Sequence, residues 1–153
     1  MKNEKAILSL PTEEDFGGSL DAKSAWKNFG GLDLYLAYER FCENPLCYQE
    51  DFMFMETVAF EFYFPVIDRF LRENHTEDVF DDSVAWILGE GISSQIESTV
   101  NPELLEKINS LSHYVRTHLS QYSPLPVEQE EIDGTWLMIQ QHIAKLKNLV
   151  PTS

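Results

Sequence analysis

Cys42 and Cys47, separated as C-x4-C, come nearest in this 153-residue chain to a metal-site spacing. A structural zinc site takes four ligands, so the pair would need two more Cys or His close by. His75 is the nearest histidine and stands alone. His113 and His118 lie five residues apart, which on a helix turns one roughly 140° from the other, whereas two His sharing a metal on one helical face sit four apart. Glu-x-x-His, the inward-facing motif of di-iron bundles, does not occur. No metal and no other cofactor is therefore expected, and the two thiols are expected to be reduced cysteines.

Nucleotide and nucleophile chemistry have equally little to work with. Gly89-Glu90-Gly91 follows the apolar run Val84 to Leu88 as a dinucleotide loop would follow a strand. Ser94 stands where the third glycine belongs, and Glu90 would place a negative charge beside a pyrophosphate. The better expectation is a break between two helical segments. G-x-S-x-G, H-E-x-x-H, Walker and kinase signatures are all missing. Neighbouring acids such as Asp81-Asp82 and Glu130-Glu131 suit helix caps or solvated faces, so no catalytic residue is assigned.

Charge is the strongest signal. Twenty-six acids against eleven Lys and Arg leave a formal charge of −15. Such a surface repels phosphate backbones and anionic leaflets, which argues against nucleic-acid and membrane partners, and it attracts basic proteins. Between Arg72 and Lys107 there are nine acids and no Lys or Arg. A solvated face explains such a run; so does a docking face for a cationic partner, and Glu77, Asp78, Asp81, Asp82, Glu90 and Glu97 are its candidate residues.

Residues 52–65, FMFMETVAFEFYFP, hold five of the ten Phe. As a helix over about Thr57 to Arg72, Phe60, Tyr63, Phe64, Ile67, Phe70 and Leu71 line one face, while Glu61, Asp68 and Arg72 line the other. Pro65 then marks a kink or restart. An aromatic stripe at this spacing is a core, although Phe52, Met53, Met55 and Tyr63 are also the candidates for an apolar pocket rim. Ala59-Phe60-Glu61-Phe62-Tyr63-Phe64-Pro65 resembles the Ala-Phe-x-Tyr-Tyr-Leu-Pro pattern of small, mostly helical bacterial proteins in a domain-of-unknown-function family. This chain has Glu56-Thr57-Val58 where that pattern has Thr-Pro-Glu. The resemblance implies a helical fold and a bacterial source, and it carries no activity.

The elements around these residues follow from caps and period. Residues 1–18 are expected to be a tail or extended lead-in, and residues 19–150 a single helical domain. Ser19 or Asp21 starts a short helix ended by Gly30-Gly31, and Asp33 starts a second, which stops at Asn44-Pro45. Asn101-Pro102-Glu103 opens a long helix whose apolar positions Leu104, Leu105, Ile108, Leu111, Val115, Leu119 and Tyr122 run to Pro124. Ile132, Trp136, Ile139, Ile143, Leu146 and Val150 repeat the spacing, so the last two long helices should pack antiparallel. The expected fold is an all-α, irregular bundle of about six helices.

No signal sequence or apolar run long enough to span a bilayer is evident, which points to the cytoplasm. The expected function is a non-enzymatic protein-binding module with an acidic docking face, of inhibitor or immunity type, for a basic partner. Two alternatives stand beside it: a small-molecule binder or enzyme with its pocket at 52–65, and a structural homodimer through the Trp136 helix. The sequence leaves the oligomeric state open.

Overall fold

The Phe-rich segment can bury its apolar stripe only as a helix covered from several directions, and the rest of the fold supplies the cover. The computed structural model describes residues 10–73, 83–99 and 101–149. In chain order its helices are α1 (Glu13–Phe16), α2 (Leu20–Phe29), α3 (Leu34–Glu43), α4 (Pro45–Tyr48), α5 (Asp51–Phe54), α6 (Thr57–Arg72), α7 (Ser83–Ile96), α8 (Pro102–Thr117), α9 (Leu119–Tyr122) and α10 (Pro126–Leu149). Six of these have ten residues or more and four are single turns. No strand occurs among the described residues. The all-α expectation holds.

Helix α6 is the centre. Its buried side chains include Phe60, Tyr63, Phe64, Ile67, Phe70 and Leu71, and it packs against α1, α3, α5, α7 and α8. It runs through Pro65, whose exposed position lets the ring avoid the core. Helices α8 and α10 lie antiparallel. Arg116, late in α8, pairs at 2.7 Å with Asp133, early in α10, while Lys147 near the end of α10 meets Glu106 near the start of α8 at 2.5 Å.

Caps explain most of the boundaries. The Ser19 hydroxyl accepts from the Ala22 N–H, the Asp33 carboxylate from Leu36 N–H, and the Asn101 side chain from Glu103 N–H. Gly31, at φ 79°, makes the left-handed turn between α2 and α3. The Tyr63 hydroxyl donates to Leu32 O at 2.7 Å and lies 3.1 Å from Phe29 O, which ties that turn to α6.

Three expectations change. The lead-in does not extend to residue 18: Thr12 and Asp15 form a reciprocal capping box on α1, and Phe16 is fully buried against Trp26 and Tyr63. Gly89-Glu90-Gly91 is not a break, because α7 continues through it. Gly89 lies tight against α10, since a Cβ there would stand 2.8 Å from Trp136 Nε1 and 2.9 Å from Thr135 Cγ2. The helix opened at Asn101 stops at Thr117 rather than running to Pro124. His118 leaves helical geometry at φ −131°, ψ 36°, with its ring stacked on Tyr114 at 3.9 Å. The offset lets α9 turn back toward the end of α6, where Tyr122 Oη donates to Leu71 O at 2.6 Å and Gln121 Nε2 to Leu71 O and Glu73 O at 3.1 Å.

Two stability predictions follow from this packing. Gly89→Ala should lower the unfolding free energy in urea, since overpacking costs about 1–3 kcal/mol and outweighs the ~1 kcal/mol that Ala gains over Gly in a helix. Gly91→Ala, whose Cβ would meet Met53 at an ordinary 3.5 Å, should be neutral or stabilising. Equal effects at both sites would refute the close-crossing account.

Asp51, at the start of α5, is buried, and that burial pushes its carboxyl up to about 6 against the Asn28 hydrogen bond of 2.8 Å, with Glu50 adding to the rise. A raised carboxyl favours the fold fully below the unfolded value and loses that contribution as pH climbs through about 6. Asp51→Asn keeps an oxygen for Asn28, so it should raise stability at pH 7 by on the order of 2 kcal/mol and flatten the pH dependence between about 4 and 6. Matched denaturation curves at pH 4 and 7 check this.

Candidate functional site

Glu56 stands at the N-cap of α6, and its side chain makes no capping bond. Its backbone N–H instead donates to Phe16 O at 3.0 Å. Since Phe16 is anchored in the core, this bond holds α1 across the start of α6 and brings Glu14 and Asp15 to Glu56. Gly17 makes the approach feasible: it sits at φ 118°, and a Cβ on it would lie 3.0 Å from Glu56 Cγ.

The opposite wall is α7. The Gln95 amide nitrogen lies 2.5 Å from Met55 O and 2.9 Å from Phe52 O, with Met53 O at 3.4 Å, so one side chain ties α7 to carbonyls of α5 and of the residue that follows it. Between these walls is an open cleft of about 500 Å³. Glu14, Asp15, Glu56, Thr57, Ser94 and Ser98 contribute its polar lining; Met53, Met55 and the exposed Val58 contribute its apolar part, and Gln95 borders it. Among the described residues no Lys, Arg or His lines it.

The origin of that lining in the chain is informative. Residues 6–22, 41–68 and 73–106 are runs without Lys or Arg that hold four, six and nine acids. The cleft takes Glu14 and Asp15 from the first, Met53 and Met55 to Val58 from the second, and Ser94, Gln95 and Ser98 from the third, so its carboxylates come from the first two. Only the third run stood out in the sequence. The other two carry the same compositional signal, but nothing in the sequence indicates that the fold brings all three together.

The predicted site residues are sorted differently from expectation. Met53 and Met55 line the cleft, whereas Phe52 and Tyr63 are 1% and 0% exposed and belong to the core. Phe52 packs on Phe29 and Phe41, and Tyr63 fastens the α2–α3 turn, so the pocket rim expected at those two is corrected. Glu97 is exposed at the end of α7, beside the cleft-lining Ser98. Glu90 is half-buried and accepts from Thr135 Oγ1 at 3.0 Å, which makes it a link between α7 and α10. Glu77, Asp78, Asp81 and Asp82 lie outside the described residues, as do His75 and Val150.

Among the described residues the other chemistry-bearing groups stand apart from the cleft. Both thiols are free. Burial pushes the Cys42 thiol up, which keeps it protonated and a poor nucleophile. It borders a second cleft with Tyr35, Tyr38, Glu39 and Arg69, where the Arg69 guanidinium lies 4.0 Å over the Tyr38 ring and pairs with Glu73 at 3.0 Å. His113 and His118 are both exposed on the α8 side. Among the described residues no three His, Cys, Asp or Glu are grouped closely enough to hold a metal ion, and no helix is long and apolar enough to cross a membrane. Trp136 is 0% exposed and donates to Ala85 O at 3.1 Å, so it serves the α7–α10 contact and offers no surface to a second copy.

Gln95 gives this geometry a direct test. Gln95→Leu leaves the carbonyls of Phe52 and Met55 without their donor and should cost about 2–4 kcal/mol in chemical denaturation. Gln95→Glu should be worse at pH 7 than at pH 4, because an ionised carboxylate only accepts whereas a protonated one donates. Identical stability of the Glu variant at both pH values would contradict the assigned donor role.

With the geometry described, comparison with known proteins yields no match: no protein-family model, no curated protein and no solved structure corresponds to this chain. The functional reading rests on the chemistry of the cleft.

Proposed function

We propose that this protein is a binding module for a basic protein partner, of the inhibitor or immunity type, docking through the acidic cleft between α1, the start of α6 and α7. One observation carries the reading: Glu14 and Asp15 from one cation-free run and Glu56 from a second meet in the lining of a single cleft in a chain of charge −15. A solvated acidic surface needs no such convergence, and unpaired like charges drawn together weaken the fold unless something of opposite sign relieves them. Glu14 and Glu56 take part in none of the ion pairs of the described residues, which join Arg69 to Glu73, Arg72 to Asp68, Arg116 to Asp133 and Lys147 to Glu106. Charge of this kind sets the rate and selectivity of encounter more than the final affinity.

The reading predicts strong salt dependence. Immobilised protein should retain basic proteins from native lysate at about 50 mM salt and release them by about 0.5 M, where the screening length falls to a few ångströms. Retention of no basic protein, or retention indifferent to salt, would remove the reading.

A further inference from the structure

The geometry points to a different binding site, a cleft between α6 and α8 that takes a small monocarboxylate with an apolar body, and it stands independently of the docking reading above. Phe64, Pro65, Asp68 and Arg72 of α6 and Lys107 and Ser110 of α8 line an open space of about 330 Å³, at the lower end of the range of ligand pockets. Arg72 and Lys107 bound the longest cation-free run of the chain, and the packing of α6 on α8 brings them to the same space. The two clefts described above hold more acids than bases. Here Arg72, Lys107 and Asp68 together leave a net positive charge.

Neither cation is placed as a merely solvated side chain. The Arg72 guanidinium is fixed from three sides: Nε donates to the Asp68 carboxylate at 3.1 Å, Nη2 donates to Ser110 Oγ at 3.1 Å, and its carbon lies 5.2 Å from the centre of the Tyr114 ring. Tyr114 is held in turn by its hydroxyl, which meets Arg72 O and Gln121 Oε1. Nη1 has no partner among the described residues, so a fork already set in direction keeps a donor in reserve. Lys107 has Glu103 four residues before it on α8, the order that favours an i,i+4 pair. No such pair forms among the described residues, and the lysine lines the cleft instead. A carboxylate entering between the two helices gains a charged donor from each.

The rest of the lining selects the body of the ligand. It is mainly apolar, with Phe64 and Pro65 on the α6 side. A bare small anion would leave that side wet, and a dianion such as phosphate would face the Asp68 carboxylate. One negative charge on an aryl or alkyl body suits both parts of the cleft. The charge of −15 does not forbid an anion there, because exposed charges more than about 8 Å away are largely screened at physiological salt. The same total charge disfavours an acidic protein, which would bring many charges to a wide surface, so a small molecule is the source.

The full chain can be titrated with phenylacetate, phenylacetamide, acetate and inorganic phosphate while its amide resonances are followed by two-dimensional NMR. Phenylacetate should produce saturable shifts at the Lys107 and Ser110 amides. It should bind at least about tenfold more tightly than the amide, which lacks the charge, and than acetate, which lacks the body. Lys107→Gln should weaken phenylacetate at least about fivefold, while Lys107→Arg, which keeps the charge, should stay within about twofold. Lys145→Gln, an equal charge change at an exposed α10 position, should also stay within about twofold. The dispersion of the same spectra verifies that each variant is folded. Equal affinity for phenylacetate and its amide would overturn the carboxylate assignment, and acetate or phosphate binding as tightly would overturn the apolar body. Equal losses in Lys107→Gln and Lys145→Gln, or no saturable shift at Lys107 and Ser110, would overturn the site itself. Each of these outcomes leaves the docking reading standing, since retention of basic proteins tests that reading separately.

Discussion

Helix α6 turns eight of its sixteen side chains into the interior, four of them aromatic, and such a helix is stable only when neighbours cover it on several sides. Each large side chain fully buried contributes about 1.5–3 kcal/mol. The cover comes from α1, α3, α5, α7 and α8, so every wall of the cleft is positioned by the same burial that holds the core. The polar ends of α6 are secured separately. Glu56 N–H meets Phe16 O at the start; Tyr122, Gln121 and Tyr114 meet the carbonyls of Leu71, Glu73 and Arg72 at the end. The end turns of a helix leave backbone groups without intrahelical partners, and distant segments supply partners at both ends of α6 even though Glu56, Arg72 and Glu73 are exposed.

What could be read in the sequence depended on range. The apolar period of α6, α8 and α10 and the caps at Ser19, Asp33 and Asn101 are local, and local signals survive folding when they agree with burial. Gly89 failed as a break signal because a glycine in a helix has two meanings, low propensity and close approach, and only the position of Trp136 decides between them. His118 failed for a similar reason: the apolar spacing continues through it, but the reach of Tyr122 and Gln121 to α6 requires an offset.

The site was less legible than the fold. Gln95, which joins α7 to the α5–α6 connection across some forty residues, looks in the sequence like any polar residue of an amphipathic stretch. Glu14 and Asp15 sat in a segment without sustained periodicity, and the buried Phe16 that anchors them is a single apolar residue with no pattern around it. Met53 and Met55 were legible because the aromatic density around them was. Phe52 and Tyr63, the larger members of the same cluster, went to the core, where a ring buries most area and the Tyr63 hydroxyl still finds carbonyls.

How a cleft can keep carboxylates unpaired without breaking the fold is a question of where they are placed. Glu56 sits at the N-terminus of a sixteen-residue helix and Glu14 in the first turn of α1, ends at which the backbone dipoles favour negative charge. That field lowers the cost of the carboxylates without occupying their lone pairs. An ion pair would lower it too, but it would consume the acceptors, and the chain's described ion pairs fall on α6's C-terminal turns, α8 and α10 instead. Charge stabilised by a helix end remains available to a donor from outside.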